Sequence, residues 1–365
     1  SSGTGYATGL NTTYAEGIDL RGTVSVNSSN GNIVFKGKSY SDGVANSNGA
    51  YGVGLWDSNN KTINSGTGTI YIEGISQDDN NSSFNYGVVL EGTTVQLISA
   101  NTSSDAIKII GKNTAGDGVS YGRGISLQAT TNKIHAIGSG GGITLQGEGR
   151  FSFTIYGTTE ILAASGPITL ESTNAADEED IYIDASDLDI GSKSGVTGLT
   201  SSSSNIIIRA DTYSFNGLTP DIATSGNVTW EPISSSNSFG YGVKTSWFSW
   251  NQNSQTISGL TIGKPTNENN VTVDFAFSVA GPISVYGGDI AINSNLNTTG
   301  GGAAGDILLK ASSNITQANS VDITTDGGDI IFWANRDNIT TGAGSNGIIL
   351  NGSNNLSSNN GKIVL

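Results

Sequence analysis

The chain has 365 residues with 52 glycines, five prolines, no cysteine and no methionine, and 35% of it is apolar. So little apolar mass suits a thin core repeated along a solenoid better than a compact globule, and the absence of cysteine removes disulfide and thiolate chemistry. A net charge of −15 excludes nucleic-acid binding by phosphate neutralisation and disfavours docking on anionic membranes.

No run of 18 apolar residues is present, so no membrane span is expected. The missing methionine gives the expectation of a processed product or a section of a longer chain.

Residues 1–170 read as a regular array. Tyr14, Tyr51, Tyr86, Tyr121 and Tyr156 recur with gaps of 37, 35, 35 and 35. Between them lie Ile33-Val34-Phe35-Lys36-Gly37, Ile70-Tyr71-Ile72-Glu73-Gly74, Ile107-Lys108-Ile109-Ile110-Gly111 and Ile143-Thr144-Leu145-Gln146-Gly147, spaced 37, 37 and 36 apart. Self-similarity of this kind marks a repeat architecture. Two interleaved series place a strand about every 18 residues, which predicts roughly 18–22 residues per turn and a repeat of two turns. On that register Tyr51, Tyr86 and Tyr121 stand two turns apart. Phe35, Ile72, Ile109 and Leu145 form one inward column, because side chains alternate along a strand.

Residues 171–275 lose this period. An acidic run, Asp177, Glu178, Glu179, Asp180, Asp184, Asp187 and Asp189, comes first. The serines Ser201 to Ser204 precede a strand at 205–209. Trp230, Phe239, Tyr241, Trp247, Phe248 and Trp250 follow, with Pro220, Pro232 and Pro265 in the same stretch. The expectation is a loop or hairpin excursion that buries Trp230, Trp247 and Trp250, with Trp247 to Trp250 as one of its strands. Residues 276–365 resume the array around Gly288-Asp289-Ile290, Gly305-Asp306-Ile307 and Gly328-Asp329-Ile330.

No segment has helical periodicity of any length. A propeller lacks its blade signature and a sandwich its hairpins. The predicted fold is all-β, a right-handed parallel β-helix with an irregular middle.

The catalytic signals are weak. Hydrolases built on such a fold need clustered carboxylates beside a histidine and a basic pair. The one Asp-Asp motif present is Asp78-Asp79. The single histidine, His135, falls at an outward strand position and reads as a surface residue. Arg123, Arg150, Arg209 and Arg336 are scattered, so no catalytic residue is assigned. The acidic run is the candidate calcium site, since calcium takes six to eight oxygens. Trp230, Trp247 and Trp250 are candidates for stacking on sugars, weighed against a role as the small core of the excursion.

Gly327-Gly328-Asp329-Ile330-Ile331-Phe332-Trp333-Ala334-Asn335-Arg336-Asp337 resembles the Gly-Gly-Asp-apolar-apolar-x-Trp segments of filamentous haemagglutinin-like giant bacterial exoproteins. So does the passage from Gly259-Leu260-Thr261-Ile262 to Gly288-Asp289-Ile290. The likeness covers residues 226–365 and extends to 1–170 in style. It implies a secreted or cell-surface β-helical passenger with adhesive or structural duty and without catalytic residues. The family's Asn-Pro-Asn-Gly secretion motif is not in this sequence.

The expected function is that of an extracellular structural or adhesive protein acting by self-association or attachment. The alternative is a glycan-binding or polysaccharide-degrading β-helix. The sequence stops in a repeat-style strand, Gly361 to Leu365, without a cap. The expected partners are therefore copies of itself, or flanking repeats, joined end to end into a rod or filament.

Overall fold

The computed structural model describes residues 5–10, 15–40, 50–77, 85–114, 122–173, 179–250, 255–300, 305–336 and 347–365. Tyr14, Tyr121, Asp78, Asp79, Asp177 and Glu178 lie outside them. The described residues are strands and turns; they contain no α-helix, and Thr245–Trp247 forms a 3₁₀ turn. The resolved strand pairings are parallel, as in a β-solenoid. The chain divides into two compact units, residues 1–204 with 212–223, and 205–211 with 224–365.

In the first unit one sheet stacks Ile33–Lys38, Ile70–Ser76, Ile107–Asn113, Ile143–Glu148 and Ile168–Ser172. Phe35 pairs with Ile72, Ile72 with Ile109, Ile109 with Leu145 and Leu145 with Leu170, which is the column the spacing predicts. Ile72, Ile109 and Leu145 have no solvent exposure. Each such side chain contributes about 1.5–3 kcal/mol by leaving water.

A second sheet carries two more strands of every coil. Its inner columns run Val53, Val88, Ile125, Phe153, Ile181 and, on the other half, Ile63, Leu97, Ile134, Ile161, Ile190, Ile222. The long strand Phe151–Ala163 joins the two halves.

Coil size departs from the expectation. Because Ile33, Ile70, Ile107 and Ile143 are direct neighbours in the ladder, the spacing of 37, 37 and 36 residues is one coil, not two. Tyr51 pairs directly with Tyr86. The two interleaved series are different strands of the same coil. From Ile143 to Ile168 the coil shortens to 25 residues.

Two glycine columns make the corner between the sheets. Gly37, Gly74, Gly111 and Gly147 stack on one side, with Gly52, Gly87 and Gly124 opposite them. A Cβ added to Gly37 or Gly74 would stand 1.9 Å from the carbonyl oxygen of Gly52 or Gly87. Only glycine permits this approach of backbone to backbone.

In the second unit each full coil has three short strands in three sheets. Gly259–Ile262, Ile283–Gly287, Ile307–Ala311 and Ile330–Trp333 form one side. Val271–Val273, Ile290–Ile292 and Ile315–Gln317 form the next, and Phe277–Val279, Leu296–Thr298 and Asp322–Thr325 the third. The coils from Leu260 to Ile283, Ile307 and Ile330 take 23, 24 and 23 residues.

The Gly-Asp-Ile motif has a stacking role. Asp306 accepts the N–H of Asp329 at 2.7 Å, and Asp329 accepts that of Lys362 at 2.7 Å. The carboxylate thus bonds a backbone donor one coil on, just before each strand. Asn32 does the same for Thr69 at 2.9 Å in the first unit.

Trp230 belongs to the ladder itself, paired with Ile208 and Ile262. Its indole faces the core and is fully buried. The excursion is thus narrower than the sequence suggests: strand stacking continues through Ile206, Val228 and Leu260, and the extra chain lies in the connection after Glu231. Trp247-Phe248-Ser249-Trp250 is not a strand. It leaves the 3₁₀ turn, and Trp250 Nε1 donates to the Thr245 carbonyl at 2.7 Å.

Candidate functional site

One outward column of the first unit gathers most of its chemistry. Outside the inner Ile134, Ile161, Ile190, Ile222 column, the register stacks Gln96, Lys133, Glu160, Asp189 and Asp221. A bulge adds one residue, Ser186, where Gly157 pairs with Ala185 and Thr158 with Asp187. Bulges re-aim side chains, and Asp187 lies beside Asp189. One carboxylate oxygen each from Asp187, Asp189 and Asp221 falls within 4.8 Å of the others.

Lys193 occupies this nest from the segment after the strand. Its Nζ lies 2.6 Å from Asp189, 2.9 Å from Asp187 and 3.5 Å from Glu160. Glu160 also meets His135 Nε2 at 2.9 Å. His135 is only 6% exposed and Glu160 5%. The expected surface histidine is therefore buried in an ion network, because Glu160 of the next coil covers it. The segment is anchored by its serines: Ser202 and Ser204 hydroxyls donate to the Ala163 carbonyl at 2.7 and 3.1 Å.

The electrostatics follow from these contacts. The hydrogen bond with His135 holds the Glu160 carboxyl below its ordinary pKa, against the pull of burial. Burial pushes Asp189 up, with Lys193 opposing. Burial draws the Lys193 ammonium down, but its bonds to Asp189 and Asp187 outweigh that and hold it above its ordinary value. The cluster holds a cation, and the cation is the lysine of the same chain.

The sequence candidates separate. Asp187 and Asp189 join the nest. Asp180 is fully buried elsewhere, accepting from the Ser172 hydroxyl at 2.7 Å and from the Thr212 N–H at 3.2 Å. Asp184 is exposed and accepts from Asn216 at 2.9 Å. Glu179 lies before the strand, away from the trio. Asp221 was missed; its only signal is that Asp221-Ile222 repeats Asp189-Ile190, the two dipeptides that pair in the ladder.

Of the tryptophans, Trp230 and Trp250 are buried and Trp247 is half-buried. Trp230 packs against Phe248 at 5.1 Å, Phe239 at 5.7 Å, Trp247 at 6.1 Å and Trp250 at 6.3 Å. These rings fill the second unit's core, so the faces of Trp230 and Trp250 are closed to sugars.

No family model, curated protein or solved structure matches this chain. Among the described residues no helix is long and apolar enough to cross a membrane.

Proposed function

We propose that this chain is a structural and adhesive section of an extracellular or cell-surface protein, non-catalytic, wound as a right-handed parallel β-helix. The observation that carries the reading is the ladder itself. Inner positions repeat mostly as Ile, Leu and Val from coil to coil, whereas outward positions vary, as Gln96, Lys133, Glu160 and Asp189 do. Such a body presents surface along its length and needs no enclosed site. The Gly-Gly-Asp-Ile-Ile-Phe-Trp segment and its resemblance to filamentous haemagglutinin-like exoproteins support the same reading.

Association end to end is part of the proposal. Ile349, Leu350, Ile363, Val364 and Leu365 are 41–60% exposed. A cavity of about 410 Å³ beside them is lined by Phe332, Trp333, Ile348, Val364 and Leu365 among others. A further parallel coil, from flanking repeats or from a second copy, would cover this apolar rung and pair its strand edges.

Purified protein should adhere when applied to cells and form rods visible by electron microscopy as concentration rises. A monomer at every concentration that attaches to no cell surface would overturn the reading.

The carboxylate nest supports a second, subsidiary reading, calcium in place of Lys193 Nζ, carried by the three converging oxygens. Chelation should then lower Tm, and Asp187→Asn or Asp221→Asn should abolish that response. An unchanged Tm on chelation leaves Lys193 as the resident cation.

A further inference from the structure

The outer face of the first unit's Ile70–Ser76, Ile107–Asn113 and Ile143–Glu148 sheet holds a groove of about 490 Å³, lined by Glu73, Ile110, Lys112, Gln146, Glu148 and Thr173. The register explains its shape. Glu73, Ile110 and Gln146 stack in one outward column, and Lys112 pairs with Glu148 in the next. Ile110 is the only aliphatic side chain of that column, between Lys36 and Glu73 on one side and Gln146 and Glu171 on the other. It gives the groove an apolar floor under polar walls.

Those walls are fixed before any ligand arrives. Glu73 accepts hydrogen bonds from Tyr6 and, at 3.0 Å, from Tyr71. It also pairs with Lys36 at 3.1 Å. Across the groove Lys112 pairs with Glu148 at 3.2 Å. Each carboxylate of the lining therefore has its own ammonium, and the groove is locally neutral in a chain of net charge −15.

That balance selects the occupant. An anionic ligand would compete with Glu148 for Lys112. A cationic ligand would compete with Lys36 for Glu73. A neutral ligand rich in hydroxyls breaks neither pair: hydroxyls donate to the free lone pairs of the carboxylates and bond the amide of Gln146 and the hydroxyl of Thr173. The C–H face of a pyranose ring suits the Ile110 floor. The volume falls within the roughly 300–1,000 Å³ range of small-ligand sites.

We propose that this groove binds a short segment of a neutral glycan. The proposal rests on the attachment reading above and names its ligand class and site. The tryptophans do not contribute; recognition is aliphatic and polar.

The test is calorimetric titration of the whole chain with neutral oligosaccharides of glucose, galactose, mannose, xylose and N-acetylglucosamine, and in parallel with a uronate oligosaccharide. Ile110→Asp and Gln146→Ala change outward positions, and their Tm values show that they fold. Expected are saturable binding of at least one neutral oligosaccharide, weaker binding of the uronate, and loss of about tenfold or more in affinity in both variants at unchanged Tm. No neutral oligosaccharide binding, equal binding of the uronate, or full affinity in the folded variants would overturn the proposal. Cell adhesion of the same proteins separates the two readings: adhesion that persists unchanged in both variants removes the groove and keeps attachment, whereas wild-type protein that never adheres removes attachment.

Discussion

Gly74 and Gly87 touch backbone to backbone: a Cβ on Gly74 would stand 1.9 Å from the Gly87 carbonyl oxygen and 2.7 Å from its carbonyl carbon. The contact recurs at Gly37 with Gly52 and at Gly111 with Gly124, so it sets the distance between the two sheets in these three coils. Neither partner is a flexible side chain, and an added methyl forces a shift of main chain. Gly74→Ala is expected to cost about 3 kcal/mol or more, at the upper end of overpacking changes. Gly5→Ala, whose Cβ would meet nothing within 4 Å, is the control and should leave stability within about 0.5 kcal/mol. Denaturant unfolding of the two variants checks this; equal stabilities would deny the corner its role.

Lys193→Met tests the carboxylate nest. Removing the ammonium leaves Asp187, Asp189 and Asp221 converging without a counter-charge. Lys193 is partly solvated, at 25% side-chain exposure, so the expected cost at neutral pH is about 1–3 kcal/mol, less than for a fully buried pair. Protonation of Asp189, whose pKa burial raises, relieves the repulsion, so the cost should shrink in acid. Millimolar calcium should restore part of the lost Tm in this variant and a chelator should reverse it. A variant whose Tm ignores calcium removes the cation reading of the three carboxylates.

Tyr6 contributes to the alkaline limb of stability beside Tyr51, Tyr71, Tyr86 and Tyr182, whose pKa values burial raises. The hydrogen bond of Tyr6 to Glu73, then burial, pushes its pKa up to about 12 from 10.0. The neutral phenol is the form the fold holds. Its contribution is complete below the unfolded value near 10 and is lost as pH rises from there toward 12. Tyr6→Phe should lower Tm at pH 8 and flatten the decline between pH 10 and 12. Tyr71, raised chiefly by burial and also bonded to Glu73, should keep part of the residual slope. A Tm profile of Tyr6→Phe parallel to wild type through that range would contradict the assignment.

Glu160 acts on the acid limb in the opposite sense. Its depressed folded pKa, caused first by the His135 hydrogen bond, gives stability that is present above the ordinary glutamate value of 4.5 and lost as pH falls below it. Asp189, raised by burial, works against this, because protonation favours the fold there. Glu160→Gln should therefore lower Tm at pH 7 and reduce the Tm loss below pH 4.5. An acid limb unchanged by the substitution would place the sensitivity elsewhere.

The inner columns were legible because a core side chain repeats at the coil spacing, as Phe35, Ile72, Ile109 and Leu145 do. Coil size was not. Two strands of one coil and two successive coils give the same interleaved spacing, and only ladder pairings, such as Ile33 with Ile70 and Tyr51 with Tyr86, separate them. The glycine ending each Ile-x-apolar-x-Gly motif recurs visibly, but its role, close approach between sheets, leaves no sign in the spacing. Half of the nest was visible in the acidic run. Asp221 reaches it through a coil boundary, and Lys193 through a segment that folds back under serine hydrogen bonds; neither leaves a local pattern. Trp230 was misplaced because aromatic and proline density resembles an excursion, although Asn227-Val228-Thr229-Trp230 has strand alternation of its own.

Trp230 carries the last prediction. It is fully buried in the column between Ile208 and Ile262, with Phe239, Phe248 and Trp250 against it. Trp230→Ala leaves a cavity that the rigid ladder on either side cannot close, and about 3–5 kcal/mol of stability should be lost. Ile349→Ala removes a side chain already 41% exposed and should cost under about 1 kcal/mol. The same burial predicts the fluorescence. Trp230 and Trp250 should resist quenching by iodide, Trp333, at 52% exposure, should be quenched most, and the partly exposed Trp56 and Trp247 should fall between. A saturating neutral oligosaccharide should leave the protected emission unchanged, because the Ile110 groove contains no indole. If sugar instead shifts the protected emission, the binding surface lies at the aromatic cluster of the second unit.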